Sequence, residues 1–329
     1  MRPRNTKMSV SVSTGAAANA AAPADSTRMS RRHFYLTKTV SDNLAGYGFL
    51  IPWFVGISVL VIGPLFSSLY LSFTNYDLFS QSDWLGLQNY NNLLTNDPKF
   101  LKSLVVTFTY VLVSVPLRLL VALALAVLLD RQMRGTTIYR SIFYLPSMLG
   151  GSVGVAVLWR QVFGRSGLVN GFLAWFGIDG PNWIADPKYA LWTIIVLAVW
   201  QFGSPMVIFL AGLRNVPKEL QEAAQIDGCG KVGTFFHVTL PFITPIVFFN
   251  LVMQMITAFQ AFTPSYIISS GTGGPVNSTL FYSLYLYQQA FTQFRMGYAS
   301  AMAWILVAII GVFTAAAFGS SKFWVFYND

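Results

Sequence analysis

Residues 104–129 read LVVTFTYVLVSVPLRLLVALALAVLL, a run with no carboxylate, no lysine and a single arginine, Arg118. A bilayer core about 30 Å thick is crossed by roughly 20 apolar residues in an α-helix. The run meets that length and shows none of the ten-residue alternation that marks a transmembrane strand. Five further runs share its character: 47–73, 138–163, 189–213, 242–268 and 297–319. Across the chain 54% of residues are hydrophobic and 10% charged, where a soluble domain carries roughly a quarter charged. The reading is an all-α polytopic membrane protein with six transmembrane helices over 46–329, preceded by a tail over 1–45. The first 27 residues of that tail are rich in Ala, Ser and Thr and predict disorder. No apolar core precedes an Ala-x-Ala site, which argues against a signal peptide, and Ser30-Arg31-Arg32-His33 reads as a basic anchor facing anionic lipid.

Lys and Arg collect in loops that stay in the cytoplasm. With the N-terminus placed inside, fourteen of the 21 basic residues fall on inside segments and five on outside ones, with Arg118 and Arg160 inside helices. Both termini are therefore expected to be cytoplasmic. The same asymmetry accounts for the net charge of +9 without nucleic acid as a partner. Cys229 is the one cysteine, so no internal disulfide forms, and without a His and carboxylate set it reads as an inert small residue. His33 and His237 lie on different segments and offer no metal site. No GxxxxGK[ST] phosphate loop is present, so the chain is not expected to be an enzyme that hydrolyses ATP.

The two glutamates of the chain, Glu219 and Glu222, both lie in the loop 214–241. Pro217 and Gly228 bracket a short helix there, the first residue suited to a helix start and the second to its end. Leu220, Ala223 and Ala224 share one face. A helix of about ten residues is marginal alone in water and must dock. It can rest on its own membrane surface or seat its small face in a partner protein, and the residues alone leave both open.

Glu222-Ala223-Ala224, three further residues, Gly228, and then Leu240-Pro241 resemble the EAA motif of bacterial ABC importer permeases, with Phe236, Val238 and Pro245 in keeping. Trp84-Leu85-Gly86-Leu87-Gln88-Asn89-Tyr90, Tyr144-Leu145-Pro146, Gly273-Gly274-Pro275 and Gly297-Tyr298-Ala299-Ser300-Ala301 look like segments of the carbohydrate-uptake group related to maltose, multiple-sugar and glycerol-phosphate permeases. The resemblance implies a type I importer permease in a bacterial or archaeal cytoplasmic membrane. It implies that 214–241 is a coupling loop seated in an ATP-binding subunit. It also implies a second permease, two ATP-binding subunits carrying ATP and Mg, and an extracytoplasmic solute-binding protein. The substrate so implied is an oligosaccharide or, alternatively, glycerol phosphate. The extra helices and outside domain of the larger maltose subunit have no counterpart in this sequence, so the contacts of that subunit do not transfer.

A sugar path calls for hydroxyl partners and aromatic faces in a protected cavity. Asn250, Gln254 and Thr257 follow one another at steps of four and three in the fifth run, with Gln260 beyond them. These side chains either line a path or bridge helices. Tyr298, Ser300 and Trp304 are weaker candidates, as are Trp200 and Gln201. Arg118, at mid-span, either lines the path or is a buried or snorkelling charge. An ion-coupled transporter, the rival class, needs intramembrane carboxylates. Every Asp falls in a tail, a loop or a helix end.

Overall fold

The computed structural model describes Asn43 and residues 46–130 and 136–326. Apart from Asn43, the tail expected over 1–45 lies outside the described residues, as do Arg131 and Arg134. The chain divides into two compact units, Met1–Pro64 and Leu65–Asp329. The first holds the larger part of α1, Gly46–Leu71, which contains a π turn at Ser58–Ile62. No residue in the most apolar window of α1 is buried within the chain.

The second unit is built around α3, Pro98–Asp130, which follows the short helix α2, Gln88–Thr95. Asp97 caps α3, its Oδ1 accepting from the Phe100 amide at 3.0 Å, and Pro98 takes the first helical position. There the missing N–H costs nothing. The helix runs straight through the expected 104–129 and past it at both ends. Pro116 lies inside it.

The third expected run, 138–163, is two helices rather than one. α4, Thr136–Leu149, and α5, Val153–Val162, meet at 98°. Pro146 and the Gly150-Gly151 pair supply the break, and Ser152 restarts the helix by accepting from the Val155 amide. Among the described residues, five helices are thus long and apolar enough to cross a membrane, and six spans result when this bent pair counts as one. α6, Leu168–Ala174, lies in the connection to the fourth span. That span, Ala190–Arg214, is α7, Ala190–Trp200, and α8, Gly203–Arg214, interrupted at Gln201-Phe202.

α9, Lys218–Ile226, follows. Short helical pieces over Lys231–Thr234, Phe235–Thr239 and Leu240–Phe242 then lead into α10, Thr244–Phe259, which α11, Thr263–Ile268, extends after a break. α12, Tyr282–Tyr287, precedes the last span α13, Met296–Trp324. Among the described residues there is no strand.

α3 packs against α7, α8, α10 and α12. Half of the most apolar window of Ala190–Arg214 and a third of that of α3 are buried, against 11% for α13. The two central spans therefore supply the core, with Tyr110, Ile194, Leu197, Met206 and Phe209 within it. Leu112 and Leu120 of α3 point outward, as residues solvated by lipid do.

Candidate functional site: a central cavity and an exposed helix

The interruptions in the spans converge. Arg118 of α3 donates from Nε to the carbonyl of Gln201 at 2.8 Å. The same carbonyl accepts from Ser147 Oγ of α4 at 2.8 Å, and Ser147 Oγ also accepts from the Ser204 amide. The Gln201 side chain turns back to donate to the Gly150 carbonyl at 3.0 Å. Three spans are thus stitched together at the point where two of them lose their regular helical hydrogen bonds. A broken membrane helix needs such substitutes, because lipid offers none. A Cβ on Gly150 would sit 2.2 Å from the Gln201 side chain, so only glycine admits this contact.

Above this network lies a cavity of about 340 Å³, at the small end of ligand-binding pockets. Arg118, Gln254, Thr257 and Gln260 all line it, together with Tyr110, Ser114 and Gln201. Gln254 Oε1 is buried without a hydrogen-bond partner, and Thr257 and Gln260 are exposed to the opening. No aspartate or glutamate is among the lining residues.

Asn250 is not brought to the cavity. It is 1% exposed and its Nδ2 has no partner. One helical step from Gln254, it has turned into the packing rather than toward the opening. Tyr298 also lies elsewhere, in a cap formed by the connections after α1 and before α13. Its hydroxyl donates to Asp97 Oδ2 at 2.8 Å, as does that of Tyr285 at 2.6 Å, and Arg295 stacks over the Tyr298 ring at 4.3 Å. Burial first, and then the hydrogen bond to the Asp97 carboxylate, push the Tyr285 hydroxyl well above its usual range, so it stays a donor. Trp304 donates to Ser68 Oγ at 3.2 Å.

The stretch Trp84–Tyr90 has a structural task in the same cap. Buried Asn89 donates to the carbonyls of Ser72 and Thr74, the residues that follow α1, at 2.9 and 2.8 Å. Tyr90 Oη pairs with Ser72 Oγ, and Trp84 stacks on Phe73. An α-helix leaves its last carbonyls without internal partners, and this segment satisfies carbonyls of that kind.

At the opposite end of the spans, α9 starts after Pro217 and ends in a Schellman motif. The Gly228 amide donates to Gln225 O at 3.1 Å and the Cys229 amide to Ala224 O at 2.9 Å, with Gly228 at φ +89°. That left-handed conformation favours glycine. α9 packs on the pieces over Lys231–Thr239 and has no buried residue of its own. Glu222 and Ala223 are exposed and Ala224 half-buried. Around them Ile226, Val232 and Phe236 are 85%, 71% and 57% exposed. Leu240 and Pro241 are half-buried where the loop returns to the spans.

A family model for the inner membrane component of binding-protein-dependent transport systems matches residues 85–323, taking in both the cavity and α9. The chain belongs to that family. It is 55% identical over 289 residues to the probable ABC transporter permease protein YesP of Bacillus subtilis, covering 88% of this chain and 94% of the relative. It is 31% identical over 307 residues to the lactose transport system permease protein LacF of Rhizobium radiobacter, covering 91% and 99%. Its fold is similar to that of a chain in the crystal structure of a bacterial ABC transporter involved in the import of the acidic polysaccharide alginate. The TM-score is 0.69 at 21% identity, over 88% of this chain and 98% of the other.

Sequence reasoning on this permease overlooked Tyr110, Ser114 and Ser147 and ranked Gln201 low. The two positions where a signal existed are Gln201, a lone amide in an otherwise apolar span, and Pro146-x-x-x-Gly150, the marker of a break.

Proposed function

We propose that this permease forms one side of the path by which a carbohydrate, delivered by an extracytoplasmic binding protein, crosses the cytoplasmic membrane. The observation that carries the reading is the central cavity: amides and hydroxyls from three spans, two of them interrupted, line one opening, in a chain whose spans are otherwise apolar. Uncharged donors and acceptors in a protected site suit a polyhydroxylated ligand. The names of relatives such as LacF agree with it.

In this reading both termini are cytoplasmic, as the distribution of Lys and Arg requires. α9, with Glu222, Ala223, Ala224 and Gly228, is the coupling helix, and Leu240 and Pro241 anchor its return. The apolar side chains exposed beside it are what a protein groove would cover. A second, different permease completes the path, and two ATP-binding subunits supply ATP and Mg. Their closure moves α9, and the breaks at Gly150 and Gln201 let the spans tilt about the cavity. An ion-coupled mechanism finds no support, since the cavity lining has no carboxylate to take up a coupling ion.

The test is uptake by proteoliposomes holding the complete complex. Transport of a labelled oligosaccharide should require both ATP and the binding protein. Glu222→Lys should abolish ATP-driven uptake while wild-type cavity geometry remains. Full uptake with Glu222→Lys, or uptake driven by an ion gradient without ATP, would contradict the proposal.

A further inference from the structure

We infer that the saccharide this permease carries bears a carboxylate, and that Arg118 is the group that holds it. The inference rests on the reading of the cavity as the carbohydrate path and deepens it. A guanidinium near the middle of a membrane span is costly unless water, protein or a ligand answers its charge. Among the described residues no carboxylate forms an ion pair with Arg118, and none lines the cavity. Its single hydrogen bond is from Nε to Gln201 O. That bond engages the Nε edge of the guanidinium and leaves the two terminal nitrogens without a partner among the described residues.

The acceptor is itself held in place. Gln201 O also takes Ser147 Oγ, and the Gln201 side chain is locked on Gly150 O. A guanidinium held by one edge presents its other edge as a two-pronged donor, the geometry that matches a carboxylate. Gln254, Thr257 and Gln260 of the next span lie around the same opening, placed for the hydroxyls of the sugar ring. A phosphate ester fits less well. It carries about −1.5 to −2 charge at neutral pH, and Arg118 is the one cationic residue among those that line the cavity.

The experiment uses the assembled complex in nanodiscs and three probes: trigalacturonate, the same trisaccharide with its carboxyls reduced to alcohols, and glycerol phosphate. Calorimetry gives the affinity of each for wild type, R118Q and R118K. Wild type should bind the acidic trisaccharide about ten-fold or more tighter than the reduced one, a preference that weakens as salt rises. The preference should vanish in R118Q and persist in part in R118K. If Arg118 were only a strut between spans, its loss would weaken both trisaccharides alike and leave their ratio unchanged.

A wild-type ratio near one overturns the inference without recourse to any variant, so failure of R118Q to assemble does not shelter it. An unchanged ratio in R118Q, or tighter binding of glycerol phosphate than of trigalacturonate, overturns it as well. ATP-driven uptake of a neutral oligosaccharide with the acidic one excluded would sink the carboxylate and leave the carbohydrate path standing. Absence of uptake for every saccharide would sink the path itself.

Discussion

The cap around Asp97 and the cavity around Arg118 each place a charged group among aromatics and amides, and they treat it in opposite ways. In the cap, Asp97 accepts from the Phe100 amide and two tyrosine hydroxyls, while Asn89 serves two carbonyls and Tyr90 a serine. In the cavity, Arg118 makes one hydrogen bond and Gln254 Oε1 none. The difference is saturation: Asp97 has its partners inside the chain, whereas the terminal nitrogens of Arg118 have none among the described residues and border a cavity. A buried polar atom without a partner costs on the order of 1–3 kcal/mol.

Mutations that empty the saturated region should therefore act on stability, and mutations in the open one on transport. Asp97→Ala removes a helix cap and two charge-assisted hydrogen bonds, about 3 kcal/mol or more. The expected outcome is a marked fall in the melting temperature of the purified complex, with little change in substrate affinity for whatever remains folded. Gly150→Ala lies on the boundary between the regions. Its methyl must displace the Gln201 side chain, at about 1–3 kcal/mol, and it should lower both Tm and uptake rate. That joint loss would show that the support beneath Arg118 belongs to the path.

Gln254→Leu should be nearly neutral for Tm, because it removes an unpartnered oxygen, yet slow uptake several-fold. A drop in Tm with normal uptake would place Gln254 in the saturated class and break the distinction. The smallest effect is expected at the far end. Gly228→Ala strains a left-handed position by about 1 kcal/mol and should leave assembly intact while reducing the ATPase activity that substrate stimulates.

The fold class was legible because lipid imposes length and apolarity on every span, and α3 shows this most simply. What was not legible is where spans break. The run 138–163 is long enough to read as one span despite Pro146 and Gly150-Gly151, and its 98° bend is held by hydrogen bonds to Gln201, a residue distant in sequence. For the same reason Arg118, Gln254, Thr257 and Gln260 could be named as one group, whereas Asn250 and Tyr298 could not be set apart from them. A single turn of helix separates Asn250 from Gln254, and Tyr298 finds Asp97 only through the folded cap. Position in the folded packing, not periodicity, sorts these residues.

The most direct test of the cavity as the path is protection of a cysteine placed in it. In a Cys229→Ser background, Thr257→Cys should react with a charged thiol reagent applied to the complex, since Thr257 is exposed at the opening. Saturating transported saccharide should slow that reaction strongly, and a cysteine at exposed Phe236, beside α9, should be unaffected by it. Equal reaction rates at position 257 with and without saccharide, in a complex that still transports, would contradict the account.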